Sequence, residues 1–266
     1  MDNEYLATLR RNELESVLAL LAKHGVRGGR LLEIGAGTGE QARALSARGY
    51  DVTAIDLEGS RYASDRVWPV IDYDGSVFPF EDNSFDIVFS SNVLEHVAQT
   101  EHMQREISRV LVPDGIVVHV LPSAAWRVLT MLVHYPWLVK VTAQAILGRR
   151  GSGRAAPGTE ERSGRFGGGR AALWQRVLYA NRHGEHGNAL NEAFYFRRAR
   201  WVRVFTLNGF RVVGLIPSGL LYSGYALFGH HLSIPVRQRM AALFGSACHV
   251  FVLRRCNRGA KGASVK

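Results

Sequence analysis

The run Leu31-Leu32-Glu33-Ile34-Gly35-Ala36-Gly37-Thr38-Gly39, with Ile55-Asp56 beyond it, holds the residue types and spacing of a nucleoside site. Glycines at alternate positions let a backbone turn tightly enough for a ligand to pass within contact distance of the main chain. Leu31, Leu32 and Ile34 read as the end of a buried parallel strand. Thr38 to Ala47 reads as a helix whose first amides point back at whatever lies over the glycines. Asp56 ends a second short strand marked by Val52, Ala54 and Ile55, where a carboxylate can accept from a ribose diol.

The spacing departs from the dinucleotide fingerprint. The third glycine comes one position early and Glu40 takes the fingerprint place, a poor setting for a pyrophosphate. Glu33, beside the turn, would repel a diphosphate and attract an ammonium group. The ligand implied has a ribose, an amino group and no phosphate, a description that S-adenosylmethionine (SAM) fits.

With these motifs the sequence resembles the class I SAM-dependent methyltransferases, above all the ubiquinone-biosynthesis-type branch. Asp74-Gly75-Ser76-Val77-Phe78-Pro79-Phe80 is similar to the segment whose Asp contacts the adenine, and Asn83 to Phe89 to the fourth strand and its entry. Ser91-Asn92-Val93-Leu94-Glu95-His96-Val97 resembles the motif flanking the methionine end of the cofactor, and Ile107 to Val120 the helix, turn and fifth strand that follow. The resemblance implies a Rossmann-like α/β fold: a seven-stranded, mostly parallel sheet, helices on both faces, a helical insertion after the fifth strand and an antiparallel last pair. It also implies a cofactor set of Glu33, Gly35, Gly37, Gly39, Asp56 with Leu57, Asp74 with Gly75, Ser91 and Asn92. It holds through about Pro122 and resumes at Trp201 to Arg254.

Methyl transfer to a hydroxyl needs a group to accept its proton. His96 is one candidate, since the strand-end motif puts it near the methyl group; shaping the pocket is its other reading. His183, Glu185 and His186, within His183-Gly184-Glu185-His186-Gly187-Asn188, are the second candidates. His183 and His186 also have the spacing of metal ligands, but no third ligand is identifiable, so no metal is assigned. His119, on the fifth strand, reads as a core histidine.

The superfamily's amino-group methylases of adenine or glutamine carry an Asx-Pro-Pro-aromatic motif where this chain has Ser91-Asn92-Val93-Leu94. Oxygen methylation of a small or lipid-linked acceptor, quinone-like or of a glycan or glycolipid pathway, is therefore preferred. A weaker resemblance of the carboxy-terminal pattern to glycan and glycolipid-pathway methyltransferases points the same way. Two alternatives stay open: a catalytically inactive SAM-binding regulatory partner, and an RNA-modifying methyltransferase.

The elements that must position these residues follow from periodicity and charge. Glu4 to His24 has helical apolar spacing and stops at Gly25. Strands read near 30–35, 51–56, 67–71, 85–90 and 115–121, alternating with helices, which implies a parallel sheet covered on both faces. Residues 1–122 form the SAM-binding core with its first helix, 123–200 an insertion or lid, 201–254 the rest of the core, and 255–266 a basic tail, in a single domain. Within the insertion, 123–147 is strongly apolar but interrupted by Arg127, His134, Lys140 and Pro136, so two short helices over the site or in a membrane interface are expected rather than a span. Residues 148–170 read as a mobile Gly/Arg/Ser loop, and Leu220 to Ile234, with His230 and His231, as a further interfacial or substrate-facing element.

The formal net charge of +10 is uneven: residues 149–203 hold 12 Arg against 4 Glu, while the rest outside the tail is mildly acidic. The pattern suits an accessory surface facing something anionic: an anionic membrane surface, a phosphate-bearing substrate or nucleic acid, the last being the least expected. Met1 to Glu4 shows no secretory pattern, and Cys248 and Cys256 read as reduced thiols, so a cytoplasmic chain, or one peripheral at the inner face of the membrane, is expected. Nothing in the sequence sets the oligomeric state.

Overall fold

The structure is a computed structural model that describes residues 3–148, 183–188, 191–223 and 232–256. The expected loop over 149–170, the stretch 224–231 with its two histidines and the tail from 257 lie outside the described residues. In chain order the elements are α1 (Asn3–Lys23), β1 (Gly29–Ile34), α2 (Glu40–Ser46), β2 (Tyr50–Leu57), a 3-10 turn (Ala63–Asp65), β3 (Ile71–Tyr73) and β4 (Phe85–Ser91). A second 3-10 turn (Leu94–His96) leads to α3 (Thr100–Val110), β5 (Leu111–Pro122) and α4 (Ala124–Gly148). The chain closes with α5 (Glu192–Tyr195), α6 (Arg198–Leu207), β6 (Phe210–Pro217), α7 (Ile234–Phe244) and β7 (Cys248–Arg255).

The seven strands lie in the order β3-β2-β1-β4-β5-β7-β6. The first five are parallel, and β7 runs antiparallel to both β5 and β6. This is the Rossmann-like, mostly parallel sheet that the motifs imply. The chain moves outward from β1 through β2 to β3, then crosses to β4 on the other side, so the order reverses between β1 and β4. Ligands bind beyond the carboxyl ends of the strands at such a reversal.

Side chains alternate across the sheet and define two cores. On one face Leu31, Ile87, Phe89, Ile116, Val118, Val250 and Val252 meet Leu9, Val17, Leu21 and Leu45 of α1 and α2. On the other face Leu32, Ile34, Val88, Val117, Phe251 and Leu253 meet Met103, Ile107 and Val110 of α3 and Trp201 and Phe205 of α6. His119 is a core residue, fully buried against Phe205 with Nδ1 bonded to the Ser90 hydroxyl at 2.8 Å, and burial pushes it down to about 3.

Three local expectations are corrected. The third strand is Ile71–Tyr73 rather than 67–71; Pro69 cannot donate to a ladder, so pairing with β2 starts beyond it, at Ile71 opposite Ile55. The second helix begins at Glu40, because the left-handed backbone of Gly39 (φ 77°) ends the turn there. The stretch 123–147 is one helix, α4, with Pro136 inside it. An internal proline costs about 3 kcal/mol, and packing offsets it: Trp126, Thr130 and His134, four residues apart, are buried together with Arg127. The opposite stripe of α4, with Val128, Leu132, Tyr135 and Val139, is exposed. No helix among the described residues is long and apolar enough to cross a membrane.

A buried polar network ties α1 to the site-bearing edge. Arg10 pairs with Glu13 at 2.6 Å, and the Tyr222 hydroxyl donates to Glu13 Oε1 at 2.9 Å, accepts from Arg10 at 3.1 Å and lies 3.2 Å from Cys248 Sγ. Glu13 is fully buried, so it depends on these donors. Tyr222→Phe removes the hydroxyl and leaves Glu13 short of a partner; a loss of about 1–3 kcal/mol is expected. Urea unfolding measures it, and an unchanged midpoint would mean that the network does not bear on stability.

Candidate active site

Gly35, Gly37 and Gly39 all have positive φ (70°, 58° and 77°), which side-chain-bearing residues adopt only with strain. A Cβ at Gly35 would lie 2.4 Å from Val93 Cγ2, and one at Gly39 2.6 Å from Trp68 Cβ. The turn is thus closed in by the loops after β4 and before β3. The amides of Gly35 and Ala36 are held by Ile55 O, at 2.8 and 3.0 Å.

Asp56 fixes the same turn from β2. Its Oδ2 accepts from Gly37 N at 3.1 Å and from the Ser60 hydroxyl at 2.8 Å, and its Oδ1 from Leu57 N at 2.9 Å. A carboxylate has about four acceptor directions, so it retains capacity for a diol. Leu57 is exposed and lies under Gly75, where a Cβ would meet its Cδ2 at 2.8 Å. Asp74, just past β3, accepts from the Ser76 amide and hydroxyl, and that hydroxyl above all holds its carboxyl below the usual range.

Glu33 points to the α1/α2 face of the sheet and is buried, with Oε2 lacking a hydrogen-bond partner among the described residues. Burial pushes its carboxyl up to about 8, opposed by the Ala42 amide and reinforced by Asp56. An orphaned acid beside a glycine turn fits an ammonium-bearing ligand. Ser91 ends β4, and Asn92 follows in left-handed geometry (φ 56°), with its amide bonded to Val120 O at 2.8 Å. Asn92 Oδ1 lies 3.6 Å from Cys248 Sγ, the last link of the network from α1.

The acid–base candidates divide into two groups. His96, in the 3-10 turn after Val93, meets His183 of the insertion edge to face, with ring centroids 4.8 Å apart. Between them lies Glu95, whose Oε1 is 3.8 Å from His96 Nε2 and 3.7 Å from His183 Nε2. Glu185 and His186 do not join this pair: Glu185 is exposed, and His186 stacks on Tyr195 at 6.0 Å. The segment is docked through its backbone. Glu185 N donates to Glu95 O at 2.8 Å, and His183 N and Gly184 N donate to Glu192 Oε1 at 2.8 and 2.5 Å. Glu192 Oε2 in turn lies 2.8 Å from Arg127 Nε, an ionic contact off hydrogen-bond alignment in which both side chains are fully buried.

Two participants escaped sequence reasoning. Glu95 looked like pocket lining, although an acid between Leu94 and His96 in an apolar stretch is a signal. Glu192 had no motif, and its role is visible only once α4 and α5 pack together.

Residues 32–119 match the methyltransferase domain family. The chain is 35% identical over 120 residues to a demethylmenaquinone methyltransferase of Clavibacter sepedonicus, covering 42% of this chain and 49% of that one. It is 30% identical over 124 residues to a malonyl-[acyl-carrier protein] O-methyltransferase of Geobacter sulfurreducens, covering 43% and 46%. Over 99 residues it is 36% identical to a 27-O-demethylrifamycin SV methyltransferase of Amycolatopsis mediterranei, covering 33% and 36%. The chain thus spans half or less of the length of each of these relatives.

Two outcomes follow from this geometry. Gly35→Ala incurs both left-handed strain and the collision with Val93, so SAM affinity by calorimetry should fall at least about tenfold, roughly the 1–2 kcal/mol of the backbone term alone. Gly35→Ala with Val93→Ala should recover part of the loss; no recovery would mean that the collision is not the cause. For Glu33, a raised carboxyl means that the folded state binds the extra proton, so stability falls as pH rises from about 4.5 to about 8. Glu33→Gln should flatten that slope in denaturant titrations of the ligand-free protein, and an unaltered slope would rule Glu33 out as its source.

Proposed function

We propose that this chain, whose residues 32–119 match the methyltransferase domain family, is a class I SAM-dependent methyltransferase that methylates an oxygen of a small or lipid-linked acceptor. The observation that carries the reading is the closed glycine turn at the β1/β4 reversal, flanked by an orphaned buried acid on one side and Asp56 on the other. Bound there, SAM supplies an electrophilic methyl group for in-line displacement.

The chain's own residues divide the work. Glu33 lies on the side of the ammonium group, whose positive charge would draw its raised carboxyl back to the ionised form, Asp56 accepts from the ribose diol, and Asp74 lies on the adenine side. Ser91 and Asn92 border the methionine end. Val93, packed on Gly35, ties the Leu94–His96 turn to the cofactor loop, so His96 and His183 stand beside the reacting end. Either imidazole can take the proton of an acceptor hydroxyl. α4 and the 183–188 segment, pinned by Glu192, border this side.

Two considerations favour an oxygen on an amphipathic acceptor. One relative named as an O-methyltransferase, one named for an O-demethyl compound and two named for a quinone occur among the matches, beside one named as an N-methyltransferase, and the Asx-Pro-Pro-aromatic motif of amino-group methylases is absent from 91–94. The exposed stripe of α4 (Leu132 at 65% and Val139 at 69% accessible) precedes the Arg-rich 149–203 region in sequence, an apolar face joined to positive charge that suits an anionic membrane surface.

Calorimetry with SAM tests the cofactor half: binding is expected, with Asp56→Ala weaker by at least about tenfold, and no heat from folded wild type would sink the reading. Single-turnover transfer from labelled SAM into a lipid extract rather than into RNA tests the acceptor half; label in RNA, or in nothing, would favour the alternatives. In flotation assays, vesicles with anionic phosphatidylglycerol should retain the chain, neutral phosphatidylcholine should not, and Leu132→Glu with Val139→Glu should weaken retention. Equal behaviour on both vesicles would remove the membrane contact.

A further inference from the structure

Glu95 is hard to explain as a structural residue. Its side chain is fully buried, and neither carboxylate oxygen has a hydrogen-bond donor among the described residues. A buried carboxylate without donors or a cation is strongly unfavourable. Among the described residues the groups that face it are His96 Nε2 and His183 Nε2, at 3.8 and 3.7 Å, beyond hydrogen-bond range. The three ligand atoms lie within 4.8 Å of one another, a cluster that a shared ion bound at about 2.1 Å would draw together by less than about 1 Å.

We propose that Glu95, His96 and His183 hold a divalent transition-metal ion of the zinc type. Two imidazoles and one carboxylate suit zinc; magnesium and calcium take oxygen ligands instead. The histidine pair that sequence spacing suggested, 183 and 186, is not the one the fold assembles: His183 joins His96, and Glu95 supplies the third ligand.

The surroundings are built to hold this set. The His183 ring packs on Trp126 at 4.7 Å, and its backbone is fixed by Glu192. A Cβ on Gly184 would lie 2.8 Å from Glu95 O, so the loop reaches the 3-10 turn only because position 184 is glycine. The His96 side chain is 44% accessible, so the set is open on one side. Three protein ligands with an open position form the arrangement of catalytic rather than structural zinc.

Resting on the methyl-transfer reading, the open position would take the acceptor oxygen beside the cofactor loop and ease the loss of its proton. The acceptor O–H gives that proton to solvent, its oxygen forms the new bond to the methyl carbon, and the carbon–sulfur bond breaks to leave a neutral thioether. The imidazoles then act through the ion rather than as bases.

Cobalt(II), a coloured substitute for zinc, tests the site without any acceptor. Chelator-treated full chain titrated with cobalt should develop the intense visible bands of a four-coordinate ion, saturate at one ion per chain and lose the bands to added zinc. His183→Gln, His96→Gln and Glu95→Gln should each weaken binding by more than about tenfold, whereas His102→Gln should not. Because His96 is partly exposed, its variant stays informative even if Glu95→Gln fails to fold. Absence of the bands, or unchanged affinity in folded His96→Gln and His183→Gln, would overturn the proposal. SAM calorimetry on the same samples separates the two readings: cobalt bound without SAM heat refutes the methyltransferase role but leaves the metal site, and the converse refutes the site alone.

Discussion

The approach of Val93 to Gly35 is the contact on which the site depends. It joins the first βα turn to the loop after β4 at the point where strand order reverses, and it needs a glycine on one side because 2.4 Å leaves no room for a Cβ. A left-handed backbone in the first turn and a left-handed Asn92 in the second let both loops bend toward the same crevice. Asn92 is the costlier conformation, since a residue with a side chain adopts it under constraint. Its amide bond to Val120 and the neighbouring Cys248 supply that constraint from β5 and β7. The cofactor end of the sheet is thus shaped by strands on both sides of the reversal.

The insertion reaches the same crevice by different physics. α4 is anchored by a fully buried Arg127 facing a fully buried Glu192, and the second oxygen of Glu192 takes two backbone amides of the 183–184 segment. Breaking such a pair by removing one partner costs more than the pair contributes, because a charge is left stranded. One acid therefore positions both the long helix and the histidine loop. That helix spends its buried face on the protein through Trp126, Thr130 and His134 and leaves the opposite apolar stripe, with Leu132 and Val139, uncovered.

Legibility in the sequence follows the range of the interactions. The strands around Leu31, Ile87 and Val118 were readable because each is a run of apolar residues set by local burial, and the glycine turn because positive φ restricts residue choice at single positions. The break expected at Pro136 did not occur, since tertiary packing on three buried side chains outweighs one missing hydrogen bond. The third strand was misplaced because only three residues pair, a length at which Pro69 and the register with β2 decide more than propensity. Glu95 and Glu192 were hidden for another reason: the meaning of a lone acid comes from partners 88 and 65 residues away, His183 and Arg127, and no local pattern carries that distance.

The buried acids share a logic. Glu13 is satisfied by Arg10 and Tyr222 and is a structural tie. Glu192 is satisfied by Arg127 and two amides and is a positioning tie. Glu33 and Glu95 alone among these four have no arginine within ion-pair distance among the described residues, and both lie beside the crevice at the β1/β4 reversal, one before Gly35 and one after Val93. Protein interiors do not leave such groups unpaired without a reason. Among these four acids, arginine accompanies the two that hold the fold, and the two at the crevice lack it.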